Sequence, residues 1–330
     1  MKRILSLLTA LFLLAALTAC GAEKVDKSLL PVRLGSITKQ FTDSVGIAQR
    51  QGFFAEELAK VGYRPVFSAF AQAGPALNEA LATDNIDFGI YGDFPQLVLF
   101  DKGVDVRAIA PATTAQNYGI LVQPNSGIKT IKDLEGKRVI APKGTVLQMV
   151  FESLLAREGV DAGKITRLNA MADAQSVFIT GEADAVISTA FGIAVLQAQC
   201  GGDVIFSTEN EPEWSTVTTV VGRGAFLDAN PEAAKAVVRA LFRAWEFAAA
   251  DAEQAYQALS FEFAPPALIK AVYGYDPSFA HFAPEFTPEA LVKLEATNAF
   301  LAANKLIAQK VDLNKFIDTQ YIEAVRGEFA

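Results

Sequence analysis

From residue 32 to residue 189 the chain alternates short apolar runs with longer runs of helical spacing, and glycine or proline stands at nearly every junction. No other feature restricts the fold as much, because strands regularly separated by helices lie parallel and need helices on the sheet faces. Val32-Arg33-Leu34-Gly35 reads as a first strand, residues 43–54 as a helix, and residues 65–70 and 86–90 as further strands. Gly74-Pro75 opens an intervening helix with proline in its first position, where the missing N–H costs nothing. Tyr91-Gly92-Asp93-Phe94-Pro95 leads into another helix.

The theme then returns. Residues 118–123 read as a strand, residues 130–134 as a short helical turn, and Arg138-Val139-Ile140-Ala141 as a strand broken by Pro142-Lys143-Gly144-Thr145. Leu147, Val150, Phe151, Leu154 and Leu155 then recur at helical spacing, and Gly159 stands where a helix C-terminal glycine belongs. Residues 183–188 form a strand after a helix that ends at Gly181. The segments 81–92 and 179–189 echo one another: a helix end, a turn, a strand with aspartate, then small residues. That echo fits ordinary strand–helix grammar or two lobes of similar design. From Pro231 onward the pattern is helical, over residues 233–251, 288–303 and 313–317, and is expected to face solvent.

Lys2 and Arg3 precede an apolar run over residues 4–17 that ends in Leu17-Thr18-Ala19-Cys20, the pattern of a secretory signal peptide. The run is short for a spanning helix, which needs about 20 residues. With 51% hydrophobic and 20% charged residues over the whole sequence the chain is globular in character, and 330 residues allow two domains. The net charge of −8, with no basic run beyond residue 3, argues against a nucleic-acid partner. Cys200 is the only other cysteine and reads as a small residue at a helix end.

The catalytic inventory is thin. His281 is the single histidine, so no multi-histidine metal site can form, and a packing or surface role is expected for it. No serine elbow, phosphate loop or zinc-protease motif occurs. Four strand-end loops instead offer helix amino termini, whose free N–H groups receive anions: residues 36–40, Gly74-Pro75, residues 92–95 and residues 144–146. Thr38, Lys39, Gln40, Gly74, Gly92, Gly144, Thr145 and Val146 are the candidates there, with Thr145 adding a hydroxyl. Asp93 fits either a helix cap or a contact to an amine. Phe94, Phe191 and Trp214 are candidate apolar walls.

Gly52-Phe53-Phe54-Ala55-Glu56-Glu57, residues 80–89 and Gly92-Asp93-Phe94-Pro95 together resemble the aliphatic sulfonate, taurine and nitrate binding proteins of ABC importers. Residues 131–139, Pro142-Lys143-Gly144-Thr145 and Gly181-Glu182-Ala183-Asp184-Ala185 are similar to the second-lobe signature of that family. The resemblance runs from about Val32 to Phe329. It implies an α/β, two-lobed periplasmic-binding-protein fold of type II, with parallel-rich sheets, flanking helices and a two-segment hinge. Lobe one would hold residues 31–114 and 219–330, and lobe two residues 115–218, with crossings near residues 114–118 and 215–220. Asn117 and Thr189 join the expected ligand contacts on this reading. The implied role is a monomeric binding protein, without cofactor or metal, that delivers a small organic anion to an ABC permease and ATPase. Leu17-Thr18-Ala19-Cys20 resembles a lipobox, which implies residues 1–19 as signal, Cys20 as the lipidated residue, residues 20–30 as a tether, and a bacterial membrane surface facing periplasm or cell exterior. Two departures stand out: Val146 and Leu147 follow Thr145 where paired hydroxyl residues are usual, and the strand-end loop reads Ser188-Thr189-Ala190-Phe191. A related branch binds pyrimidine precursors of thiamine. An enzyme or a sensor on the same fold is the reading from a different class.

Overall fold

The computed structural model describes residues 28–329, so the expected leader and Cys20 lie outside the described residues. Two five-stranded sheets organise the chain. The first contains β1 (Leu30–Ser36), β2 (Tyr63–Ala69), β3 (Phe88–Gly92) and β4 (Val106–Gln116). The second contains β5 (Tyr118–Val122), β6 (Arg138–Ile140), β7 (Thr166–Leu168), β8 (Ala185–Thr189) and β9 (Asp203–Ser207). The chain then returns to the first sheet as β10 (Thr216–Arg223). The orders are β2-β1-β3-β10-β4 and β7-β6-β8-β5-β9, one pattern used twice.

The expected parallel-rich sheets are mixed. β1 runs parallel to β3, and β6 runs parallel to β7 and β8. β10 is antiparallel to both β3 and β4, and β5 to both β8 and β9. These two strands arrive from the opposite sheet and not over a crossover helix, so nothing forces them parallel.

Helices α1 (Ser44–Arg50), α2 (Phe53–Ala59), α3 (Ala73–Ala82) and α4 (Asp93–Asp101) serve the first sheet. Helices α5 (Val146–Glu158), α6 (Ala174–Ile179) and α7 (Ala190–Cys200) serve the second. After β10 come α8 (Gly224–Ala229), α9 (Pro231–Ala250), α10 (Ala252–Leu259), α11 (Pro266–Tyr273), α12 (Pro288–Ala303), α13 (Leu313–Phe316) and α14 (Gln320–Val325). The single helix expected over residues 43–54 is two, because Gly52 takes a left-handed φ of 76° between α1 and α2. The C-terminal helices do not simply face solvent. Ten residues of α9, among them Val237, Leu241 and Phe242, are buried where it packs on α1, α2 and α14. Among the described residues no helix is long and apolar enough to cross a membrane.

The echo between residues 81–92 and 179–189 corresponds to one hydrogen-bonded device built twice. Asp87, just ahead of β3, accepts from the Arg33 backbone N at 2.8 Å, from its Nε at 3.0 Å and from its Nη2 at 2.6 Å. Asp184, just ahead of β8, accepts from the Arg138 backbone N at 2.8 Å, from its Nε at 3.2 Å and from its Nη2 at 2.7 Å. On the other flank, Arg223 N donates to Asp87 O and Arg223 Nε to Ile86 O. Gln123 takes that place in the second sheet, its N donating to Asp184 O and its Nε2 to Ala183 O. Each aspartate thus staples its own strand to both neighbours.

The Asp87 side chain is only 3% exposed and that of Asp184 29%. Asp87→Ala is therefore expected to cost about 2 kcal/mol, the penalty for leaving a buried backbone N–H without its acceptor, while Arg33 keeps Asp84 as a partner. Asp184→Ala should cost clearly less, a ranking that urea unfolding of the two variants checks.

Candidate functional site

The sheets are joined at Asn117, between β4 and β5, and over residues 208–215, slightly ahead of the second crossing expected at 215–220. Between them lies a cleft of about 660 Å³. Its walls are built at the strand ends: Ile37, Thr38 and Gln40 after β1, Ala71 and Gly74 after β2, and Gly92 at the end of β3. From the second sheet come Pro142 and Thr145 after β6, Met171 after β7, and Thr189 at the end of β8. Ligands in open α/β sheets gather at such strand ends.

Gly92 and Gly74 matter here as absent side chains. A Cβ on Gly92 would come within 2.6 Å of Val146 Cγ2, so glycine is what lets the start of α5 approach the end of β3. A Cβ on Gly74 would meet Pro95 Cγ at 2.5 Å, so it sets the packing of α3 on α4.

Two helices open on the cleft with bare amino termini, α3 from the first sheet and α5 from the second. Neither Gln72 nor Thr145 caps its helix with a side chain. In α3, Ala73 N donates to Phe70 O and Pro75, third in the helix and not first as expected, has no N–H, which leaves the N–H of Gly74; in α5, Gln148 N donates to Thr145 O, which leaves those of Val146 and Leu147. Thr145 turns its hydroxyl away, donating to Pro142 O at 2.8 Å. α1 and α7, by contrast, are capped by Asp43 and Thr189. Among the described residues lining the cleft, Asp43 is the only one that carries an ionisable acid or base of the Asp, Glu, Lys, Arg or His type. Burial raises its carboxyl to about 6, against the lowering effect of the Gly46 and Val45 N–H groups it accepts from.

Of the expected contacts, Thr38, Gln40, Gly74, Gly92, Thr145, Val146, Thr189 and Phe191 line the cleft. Lys39 is exposed and does not. Gly144 lies in a neighbouring cavity with Phe94, and its N–H is spent on Gln148 Oε1 at 2.8 Å. Phe94 is core, 6.3 Å from Phe300 and buried. Asn117 ties the two joining segments together, accepting from Thr208 Oγ1 at 3.0 Å, while Thr208 Oγ1 accepts from Tyr118 N. Trp214 stands edge-on to Phe206 beneath Arg157, away from the cleft. His281 is buried among Tyr273, Phe279 and Phe282, with Nδ1 2.9 Å from Asp276 Oδ2. Asp43, Tyr118, Phe261 and Phe263, all on the cleft wall, were not among the candidates, whereas Ile37 falls within the loop of residues 36–40. The paired phenylalanines of Phe261-Glu262-Phe263, between two helices, were the available signal.

Asp93 neither caps α4 nor reaches the cleft. The cap position belongs to Gly92, and Asp93 points into the core, where Oδ2 accepts from Thr297 Oγ1 at 2.8 Å and Oδ1 has no partner among the described residues. Burial pushes its carboxyl up to about 7, with the Thr297 bond working the other way.

Two sheets of this order, joined twice and facing each other across a cleft, define a periplasmic-binding-protein fold. The chain belongs to the NMT1/THI5-like family, which it matches over residues 43–255. An aliphatic sulfonate-binding protein of Bacillus subtilis (strain 168) is 28% identical over 233 residues, 70% of this chain and 69% of that protein. The periplasmic sulfonate-binding protein SsuA of Methylobacillus flagellatus KT superposes with a TM-score of 0.73 at 26% identity, covering 91% of this chain and 95% of that one. The desulfurization enzyme DSZB shares the fold alone, with a TM-score of 0.71 at 13% identity, covering 90% of this chain and 99% of its own.

Because the folded pKa of Asp93 lies above the ordinary carboxylate value near 3.9, the folded chain holds this proton more tightly than the unfolded one. Stability should then fall as pH rises from about 4 through about 7. Asp93→Asn removes the ionisation, so thermal melts are expected to find it more stable than the parent at about pH 8, with the advantage gone near pH 4.

Proposed function

We propose that this chain is the exported solute-binding component of an ABC import system and that it holds an organosulfonate in the cleft. The observation that carries this reading is the opening of α3 and α5, from opposite sheets and both uncapped, on one cavity. Backbone N–H groups at helix starts bind a sulfonate without a cation, and among the described residues no lysine or arginine lines this cleft. The sulfonate-binding relatives support the same class of guest. On this reading the two sheets form lobes that close about Asn117 and residues 208–215, because a guest touching both favours the closed form. Cys20 would carry the lipid that keeps the mature protein at the membrane beside its permease and ATPase. Capture and not turnover is the proposed role, since a lone carboxylate in a neutral cleft offers no acid–base pair.

Val146 occupies the first position of α5, where proline is tolerated, and Thr145 already has the extended backbone that a following proline requires. Val146→Pro removes one N–H without breaking the helix. Isothermal titration with ethanesulfonate should find about tenfold weaker binding in this variant, the loss expected for one hydrogen bond to an ion. Undiminished affinity would move the anion elsewhere.

Asp43 favours a second reading, an aminopyrimidine guest that donates to the carboxylate. pH separates the two. Asp43 ionises above about 6. A sulfonate, repelled by that charge, should bind more tightly at about pH 5 than at about pH 8, whereas a donor to Asp43 should bind more tightly at the higher pH.

A further inference from the structure

The cleft is large for a guest that is only an ion, and one rim of it is aromatic. Phe261 and Phe263 come from the tight turn between α10 and α11, closed by Phe261 N to Ala264 O at 3.0 Å and Ala264 N to Phe261 O at 2.8 Å. Phe261 is held from two sides. Its ring lies 5.7 Å from that of Phe191 on α7, and the Arg50 guanidinium sits 5.8 Å from its centroid. Phe263 is different: it lines the same cavity yet is 60% exposed, and Ile37, in the loop after β1 that also lines it, is 46% exposed. Two large apolar side chains left in water at the mouth of a ligand cleft, beside a fixed aromatic pair, describe a contact that is completed by the guest. With no cation among the described residues of the cleft, apolar burial is also the main remaining source of affinity.

We propose that the guest carries a ring-sized apolar group on its sulfonate, and that Phe263 is the specificity-determining residue that covers this group. The anionic head occupies the helix starts at Gly74 and Val146. The ring lies against Phe261 and Phe191, with Phe263 and Ile37 closing above it. A small sulfonate occupies the head position and leaves Phe263 in water. The inference rests on the sulfonate reading of the cleft and assigns the other half of the ligand.

The test titrates the mature protein and Phe263→Ala with ethanesulfonate and naphthalene-2-sulfonate. The parent should bind the naphthalene compound at least about tenfold more tightly, the gain expected from burying one large apolar group. Phe263→Ala should lose about tenfold for the naphthalene compound and stay within about twofold for ethanesulfonate. A second variant, Phe263→Trp, reports burial directly: its emission should shift to the blue with naphthalene-2-sulfonate and stay put with ethanesulfonate. Equal affinities for the two sulfonates, or equal losses in Phe263→Ala, overturn this inference and leave the sulfonate reading intact. If neither compound binds, the sulfonate reading falls and this inference falls with it.

Discussion

Each sheet is held by an aspartate that precedes its central parallel strand and binds an arginine across the sheet. Asp87 and Asp184 engage the backbone and guanidinium of Arg33 and Arg138 with nearly the same set of bonds. A carboxylate gripping both a backbone N–H and a guanidinium sets the register of two strands at once. That register determines where β1, β3, β6 and β8 end, and the loops and helices that start there are the walls of the cleft. The site is therefore placed by bonds at the far ends of the strands that lead to it.

The electrostatics of the cleft depend on which helix starts are capped. Asp43 and Thr189 cap α1 and α7, while α3 is left with the N–H of Gly74 and α5 with those of Val146 and Leu147. A binding protein must release its guest, and neutral donors hold an anion without the deep well of a buried opposite charge. Asp43 is the counterweight, a single carboxylate in the same cavity whose own burial holds it near the edge of ionisation.

The C-terminal helices do more than close the first sheet. α9 buries one face against α1, α2 and α14, which fixes the frame. α11 then reaches α7 of the second sheet, and the preceding turn carries Phe261 to Phe191. The segment between α10 and α11 thus makes one rim of the cleft from residues more than 40 positions beyond β9 in the chain. The buried His281, between aromatic rings near this rim, belongs to packing.

Local pattern determined much of this protein. The alternation of strands and helices, the break at Pro142-Lys143-Gly144-Thr145, the terminator Gly159 and the echo of Asp87 in Asp184 are short-range features that a chain carries openly. So are strand-end glycines: Gly74 and Gly92 announce close approach without naming the neighbour, which proves to be Pro95 for one and Val146 for the other. Side-chain direction is another matter. Asp93 and Asp43 look alike in sequence, each beside a helix start, yet one points at Thr297 in the core and the other caps α1 in the cleft. Gly144, Asn117 and Trp214 sit within a few residues of the cleft wall and still face away, because a turn of backbone decides which group is spent internally. The antiparallel entry of β5 and β10, and the arrival of Phe261 and Phe263, depend on contacts between segments distant in sequence. Only the folded chain decides those, since no local periodicity records which surface a loop will meet.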